Sequence, residues 1–570
     1  MGVTKSQSQN ISSPNGNSLA VFIDGVTGII MLKDVNGKTE PLSNYVCGDD
    51  GATSPFEYNA NGTGIQPILS NNNASGCNST IGGGKSNTAS NNYATIGGGQ
   101  CNTASCIHST IGGGQGNNVL ASYSTIGGGK CNTASFIHST IGGGQNNISS
   151  GYSSTIGGGE LNSASGYFST IGGGQINSAS GRSSTIGGGQ CNISSGYKST
   201  IGGGYSNSAS ECYSTIGGGS NNTASSVHST IGGGSNNTAS SVHSTIGGGQ
   251  SNNASDSIST IGGGYSNSAS GYYSTIGGGQ SNSASGRGST IGGGSHNNAS
   301  FRGSTIGGGQ CNISSGYKST IGGGYSNSAS EYYSTIGGGY SNSASGFAST
   351  IGGGNSNISS GYSSTIGGGK CNTASNNHAT IVGGQCNISS GCNSTIGGGS
   401  QNTASGDFSS ILGGWKNNTN GYCNSHIIGT DIIASASDTT FVQGLSKTSG
   451  TFRISHPDPT KTNTHYLQHS FVESPTAGDN IYRYVVTVKD GVAEIELPDY
   501  FKFLNENPQV WVSAKNGFGI AYGITNEDLT KVIITANLDI DYNVLIIGTR
   551  KDKDAVKNWN GIEVVKKNKK

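Results

Sequence analysis

The chain has 570 residues, of which 102 are glycine and 9 proline, and its 28 basic side chains are balanced by 28 acidic ones. That balance lacks the cationic excess that contact with nucleic-acid phosphates requires. Collagen is excluded by the scarcity of proline and by glycine that does not fall at every third position, and helix is disfavoured by a cost of about 1 kcal/mol per glycine relative to alanine.

Residues 1–50 contain SLAVFIDGVTGIIMLKDVNGKTEPLSNYV from Ser18. Alternating apolar segments with Asp24-Gly25 and Asn36-Gly37 as turn signals predict a β-hairpin. The segment is too polar and too short for a membrane anchor, and no basic start followed by an apolar core reads as a secretion signal, so no membrane insertion is expected. Residues 51–78 read as a linker and a degenerate first coil.

Residues 79–423 hold a repeat without a gap. Anchored on the isoleucine of Ser-Thr-Ile-Gly-Gly-Gly, it recurs every 15 residues through Ile81, Ile96 and Ile111 to Ile411, twenty-three copies in all. The asparagine six residues later is equally constant, through Asn87, Asn102 and Asn117 to Asn417. Two of the three glycines, Gly83 and Gly84 in the first copy, never change, and the first is lost only at Val382 and Leu412. The period is too short for helix-pair repeats of roughly 33 or 34 residues, so the expected architecture is a β-solenoid with one coil per repeat. Two extended segments, Ser-Thr-Ile and Asn-x-Ala-Ser, would be joined by the glycine turn and by the variable triplet before each Ser-Thr-Ile, which is expected to face outward. Stacking in register builds an isoleucine rank, a threonine rank on the opposite side of the same strand, and an asparagine ladder. Over twenty-two steps the rod would be on the order of 105 Å long. One isoleucine and usually one alanine per coil is a thin core, so several stacks are expected to associate, sharing a core or a glycine-lined interface.

The Ser-Thr-Ile-Gly-Gly-Gly and Asn-x-Ala-Ser-Gly coils, over roughly residues 65 to 430, resemble the head repeats of trimeric autotransporter adhesins, the YadA-like left-handed β-roll. The resemblance implies a homotrimer. Thr-Ile-Gly-Gly-Gly departs from the commoner Ala-x-Ala-x-Gly form, which leaves the handedness and the number of strands per coil open.

In residues 424–450, NSHIIGTDIIASASDTTFVQGL loses the period, as expected of a capping transition. Residues 451–570 change to charged, aromatic and β-branched alternation and predict a β-rich globular domain of ordinary size. TFRISHPDP from Thr451, LQHSFVESP from Leu467, NIYRYVVTVKDGVAEIELPDYF from Asn480 and YNVLIIGTRKD from Tyr542 resemble the C-terminal regions of bacteriophage and large-virus tail-fibre proteins. That resemblance implies a virion fibre assembled in the host cytoplasm. The N-terminus would contact virion proteins, and the C-terminal domain would serve as tip or trimerisation clamp.

Side-chain chemistry adds little that suggests catalysis. His456, Asp458, His465, His469 and Glu473 lie near one another in sequence, yet no Cys pair or His-Glu-x-x-His spacing accompanies them. Gly-Gly-Gly is followed by no Lys-Ser/Thr and offers no phosphate cradle. No enzymatic activity, cofactor or metal is expected. Of twelve cysteines, six share one coil position: Cys101, Cys131, Cys191, Cys311, Cys371 and Cys386. Only Cys371 and Cys386 fall on consecutive coils, where a disulfide is geometrically conceivable. Tyr152, Tyr167, Tyr197, Tyr272, Tyr317, Tyr332 and Tyr362 recur at one variable position and form a candidate host-contact rank for a surface glycan or protein. Asn192-Ile193-Ser194 and Asn221-Asn222-Thr223 have the glycan-acceptor pattern, which is used only where a chain meets the glycosylating enzymes. Two other classes compete with the fibre: an adhesin of the autotransporter type, and an ice-binding solenoid using the threonine rank.

Overall fold

The computed structural model describes residues 20–23, 30–33, 38–41, 56–59, 62–68, 71–444, 451–461, 463–470 and 478–552. The chain divides into two units, Met1–Gln443 and Gly444–Lys570.

The first unit opens with an antiparallel meander. Ala20–Ile23 pairs with Ile30–Lys33, which pairs in turn with Thr39–Pro41. The expected hairpin therefore gains a third strand, while both expected turns, at residues 24–25 and 36–37, lie outside the described residues. Phe56–Tyr58 then folds back on Gly64–Pro67, whose Gly64 and Ile65 pair in parallel with Ser79 and Thr80 as the rung that precedes the repeat.

The repeat is a β-solenoid with one coil per 15 residues, as its period predicts. Thr95–Ile96 pairs in parallel with Thr110–Ile111 one coil on, and Thr103–Ala104 pairs with Asn118–Val119. A third ladder, unforeseen from the sequence, runs through single bridges four residues after each isoleucine, from Lys85 through Gln100 and Gln115 to Trp415. Beyond residue 423 the first ladder continues for two more rungs, His426–Ile428 and Thr440–Val442. The capping segment thus extends the stack before ending it.

Inside the coil every isoleucine of the first ladder from Ile81 to Ile396 is fully buried, and so are the alanines of the second ladder, from Ala74 to Ala404. A single chain closes this core by itself, so the expectation that neighbouring stacks share it does not hold. The threonine before each isoleucine points outward, exposed at Thr80 and Thr95 and half-buried at Thr110. The variable triplet is outward in its last two residues, but its first is buried wherever it is glycine, as at Gly151 and Gly166.

The asparagine ladder supplies what a thin core does not. The Asn102 amide Nδ2 donates to the Gly98 carbonyl of its own coil (3.0 Å), to the Gly114 carbonyl of the next (2.9 Å) and to Asn87 Oδ1 (3.1 Å). Its Oδ1 accepts from the Asn117 backbone N–H at 3.0 Å. One buried side chain thereby closes the glycine turn and binds three successive rungs, leaving none of its polar atoms idle in a dry interior.

The second unit has an ordinary apolar core between two antiparallel sheets. Asp541–Arg550 sits between Asp479–Thr487 and Asn505–Ala514, and Lys531–Ala536 sits between Val492–Glu496 and Ala521–Thr525. Alternate residues of both sheets, among them Ile495, Val532, Ile534, Tyr542, Val544 and Ile546, meet in one cluster with Phe501 of the short helix Phe501–Leu504. Thr451–Ser455 and Tyr466–Ser470 form a separate two-stranded ribbon.

Candidate functional site

Stacking at a fixed period turns each outward position into a line of side chains one rung apart. Three lines are rich in chemistry: four, eleven and twelve residues after the isoleucine.

The eleventh position carries all seven tyrosines singled out from the sequence. The structure places them in two blocks and fills the gaps with residues that a search for tyrosine alone passes over. Tyr152, Tyr167, Arg182 and Tyr197 are consecutive, as are Tyr272, Arg287, Arg302, Tyr317, Tyr332, Phe347 and Tyr362. Along the longer block Tyr317 and Tyr332 lie 5.5 Å apart, and Phe347 stacks on Tyr362 at 5.1 Å with 3° between the rings. Arg287 sits over the Tyr272 ring at 5.3 Å and Arg302 over Tyr317 at 5.8 Å, contacts in which a guanidinium is held against an aromatic face. Tyr167, Tyr332 and Tyr362 are about half-exposed. The Tyr272 hydroxyl is pushed above its ordinary pKa, chiefly by its hydrogen bond with Tyr273.

The twelfth position has positive φ from Tyr93 to Phe408, yet many of its occupants are large side chains. Tyr93, His108, Tyr123 and His138 stack in sequence at 4.7, 5.1 and 5.3 Å, and Tyr213, His228 and His243 at 4.9 and 4.8 Å. Rings this close leave no room for a flat ligand between them and present their edges to solvent.

The two sequons differ. Asn192 is a ladder asparagine, fully buried, with its Nδ2 bonded to Gly188 and Gly204 carbonyls, so the folded chain offers no acceptor there. Asn221 lies on the exposed surface one residue before the ladder.

The fixed residues are structural throughout: Ile81, Ile96 and Ile111 in the core, Asn87, Asn102 and Asn117 in the ladder, Gly83 and Gly84 in the turn. Gly84 and its equivalents have φ near +90°, and a β-carbon on Gly99 would lie 2.0 Å from the Gly114 carbonyl oxygen. Gly83 and its equivalents are different. Their φ is outside the left-handed region, and a β-carbon on Gly98, Gly113 or Gly128 would meet nothing within 4 Å.

In the second unit His456 is buried, with the His465 ring 6.4 Å and the Tyr500 ring 6.1 Å away. The Asp458 carboxylate accepts from the Thr460 N–H and hydroxyl, which hold its pKa below the usual carboxylate value. Its own backbone N–H donates to His456 Nδ1 at 3.2 Å. These contacts make a turn, in which the His456 ring also helps to hold the Asp458 carboxyl low. Glu473 and the side chain of His469 lie outside the described residues. Among the described residues no cluster of three His, Cys, Asp or Glu side chains could hold a metal ion, and no helix is long and apolar enough to cross a membrane.

No known protein family matches this chain, and no curated protein is significantly similar to it.

Proposed function

We propose that this chain is the subunit of a homotrimeric, non-enzymatic virion fibre: a β-solenoid shaft with an N-terminal attachment region and a C-terminal β-rich tip. The observation that carries the reading is the second glycine of each turn. It is glycine in all twenty-three copies, although its conformation is open to other residues and a side chain there would enter empty space. Selection against a side chain that the chain itself tolerates is what close approach by another backbone produces, and identical rungs on identical chains would meet rung for rung. The mixed tyrosine, phenylalanine and arginine rank then serves as the outward contact face. Aromatic rings suit sugar faces, and guanidinium groups suit carboxylates, so the host ligand is a surface glycan bearing acidic sugars.

Light scattering after size exclusion tests the assembly. The purified chain is expected at three times its own mass, and replacing Gly203, Gly218 and Gly233 together by leucine is expected to yield monomers whose β-sheet circular dichroism is unchanged. A monomeric parent chain, or a variant that remains trimeric, overturns the reading.

A further inference from the structure

The position five residues after each isoleucine forms a fourth outward line, and every residue on it has positive φ, from Ser86 to Lys416. At one point of the line the reach of a cysteine is visible: a β-carbon on Gly116 would lie 3.4 Å from Cys131 Sγ. In a disulfide the β-carbon on one side lies about 3 Å from the sulfur on the other, given an S–S bond of about 2.05 Å. Cys131 thus brings its sulfur almost to bonding reach of the rung before, from the same line position and backbone conformation as the other cysteines of the line.

Cys371 and Cys386 are the two cysteines that occupy consecutive rungs of this line. They share its geometry, with φ of 55° and 53°. The Cys386 N–H donates to the Lys370 carbonyl at 2.8 Å, and Lys370 bridges Gln385 in the adjoining ladder, so the two rungs are in register. Cys371 is exposed and Cys386 half-buried, within reach of a soluble oxidant. Strand spacing sets their α-carbons about 4.8 Å apart, inside the range that disulfides span.

We propose that Cys371 and Cys386 form a reversible disulfide that staples two rungs near the C-terminal end of the solenoid. The chemistry is exchange with a small-molecule disulfide such as oxidised glutathione. The Cys371 thiolate attacks one glutathione sulfur and expels a glutathione thiolate. The Cys386 thiolate then attacks the Cys371 sulfur of the mixed disulfide and expels the second. Two protein thiols lose two protons and two electrons, and one glutathione disulfide becomes two thiols. A pure translation between rungs keeps the β-carbons near the strand spacing, slightly beyond the usual 3.5–4.5 Å. The bond is thus strained, exposed and readily reopened by thiols, unlike the resistant disulfides of secreted domains.

The test uses the full folded chain in buffered oxidised glutathione, followed by proteolysis without reduction and mass spectrometry. The expected result is a linked Cys371–Cys386 peptide, two hydrogens lighter than its reduced parts, while Cys191 and Cys311, which have no cysteine on this line in either neighbouring rung, carry glutathione. Glutathione on Cys371 is expected to be about tenfold scarcer than on Cys311, because the neighbouring thiol resolves the adduct intramolecularly. In a Cys386→Ser chain Cys371 should become glutathionylated like Cys311. Equal glutathionylation of Cys371, Cys386 and Cys311 in the parent chain, or free thiols at 371 and 386 while Cys311 is capped, overturns the proposal.

Discussion

Each coil forces residues into a left-handed backbone that only glycine and, to a lesser degree, asparagine adopt at ease. The third glycine of the turn meets that demand, but the lines five and twelve residues after the isoleucine mostly do not. Ile176 and Ile258 are the extreme cases, β-branched residues at φ 57° and 59°. Their strain is borne by the rungs on either side, which hydrogen-bond the same backbone. Replacing Ile176, which is 46% exposed, by asparagine is expected to stabilise its coil by about 1 kcal/mol, since Asn146, Asn221 and Asn236 already occupy this line. Slower amide hydrogen exchange of rungs 161–191 measures the gain, and unchanged or faster exchange shows that stacking outweighs strain. These positions were illegible in the sequence because side-chain identity varies where the backbone alone is constrained. The constant residues were legible for the opposite reason: Ile, Asn and the third Gly of the turn each satisfy one demand, a buried volume, a set of hydrogen bonds, a forbidden β-carbon.

At the scale of one coil, residues trade roles in ways that a single copy hides. The serine two before the isoleucine is buried and closes the preceding turn, as Ser109 Oγ does by donating to the Cys106 carbonyl at 2.6 Å. It becomes alanine twice, at Ala94 and Ala379, and those are the two coils whose triplet begins with asparagine. There Asn91 accepts from the Asn92 N–H at 2.8 Å and donates to the Ser105 carbonyl at 3.2 Å, with Asn376 doing the same towards Asn377 and Ser390. Ser109→Ala alone is expected to cost about 1 kcal/mol of coil stability, and the double change Ser109→Ala with Cys106→Asn to recover most of it. Urea unfolding of the two variants decides this, and a double variant no better than the single one refutes the exchange. A second trade misleads a reader of hydrophobic pattern. In the five Asn-Ile-Ser-Ser-Gly coils the isoleucine faces out, 46% exposed at Ile148, and the following Ser149 lies in the core, sharing a hydrogen bond of 2.7 Å with Ser154. The slot is alanine-sized, so volume outranks polarity once the hydroxyl has a partner. The third ladder escaped notice likewise, because Lys85, Gln100, Tyr205 and Trp415 share nothing but a backbone bridge.

Along the solenoid the ladder hydrogen bonds of each rung go to its neighbours, while some exposed rings reach one rung further, as Phe136 does to Tyr167 and Phe301 to Tyr332; stability is therefore close to a sum of rung and interface contributions. Removing Thr215–Ser229, one full period, rejoins Ser214 to Thr230 with every ladder intact. Its melting temperature is expected to stay within about 2 °C of the parent, while a deletion one residue shorter, out of phase, breaks the Asn and Ile ranks and melts far earlier. Similar melting of both shows that register is not what holds the rod. The same locality has a genetic consequence. Thr215–Ser229 and Thr230–Ser244 are identical in all fifteen residues, as duplication of one rung would leave them. Length is therefore a heritable property that changes in whole rungs: a replication slip of one repeat would lengthen or shorten the solenoid and leave its ladders in register.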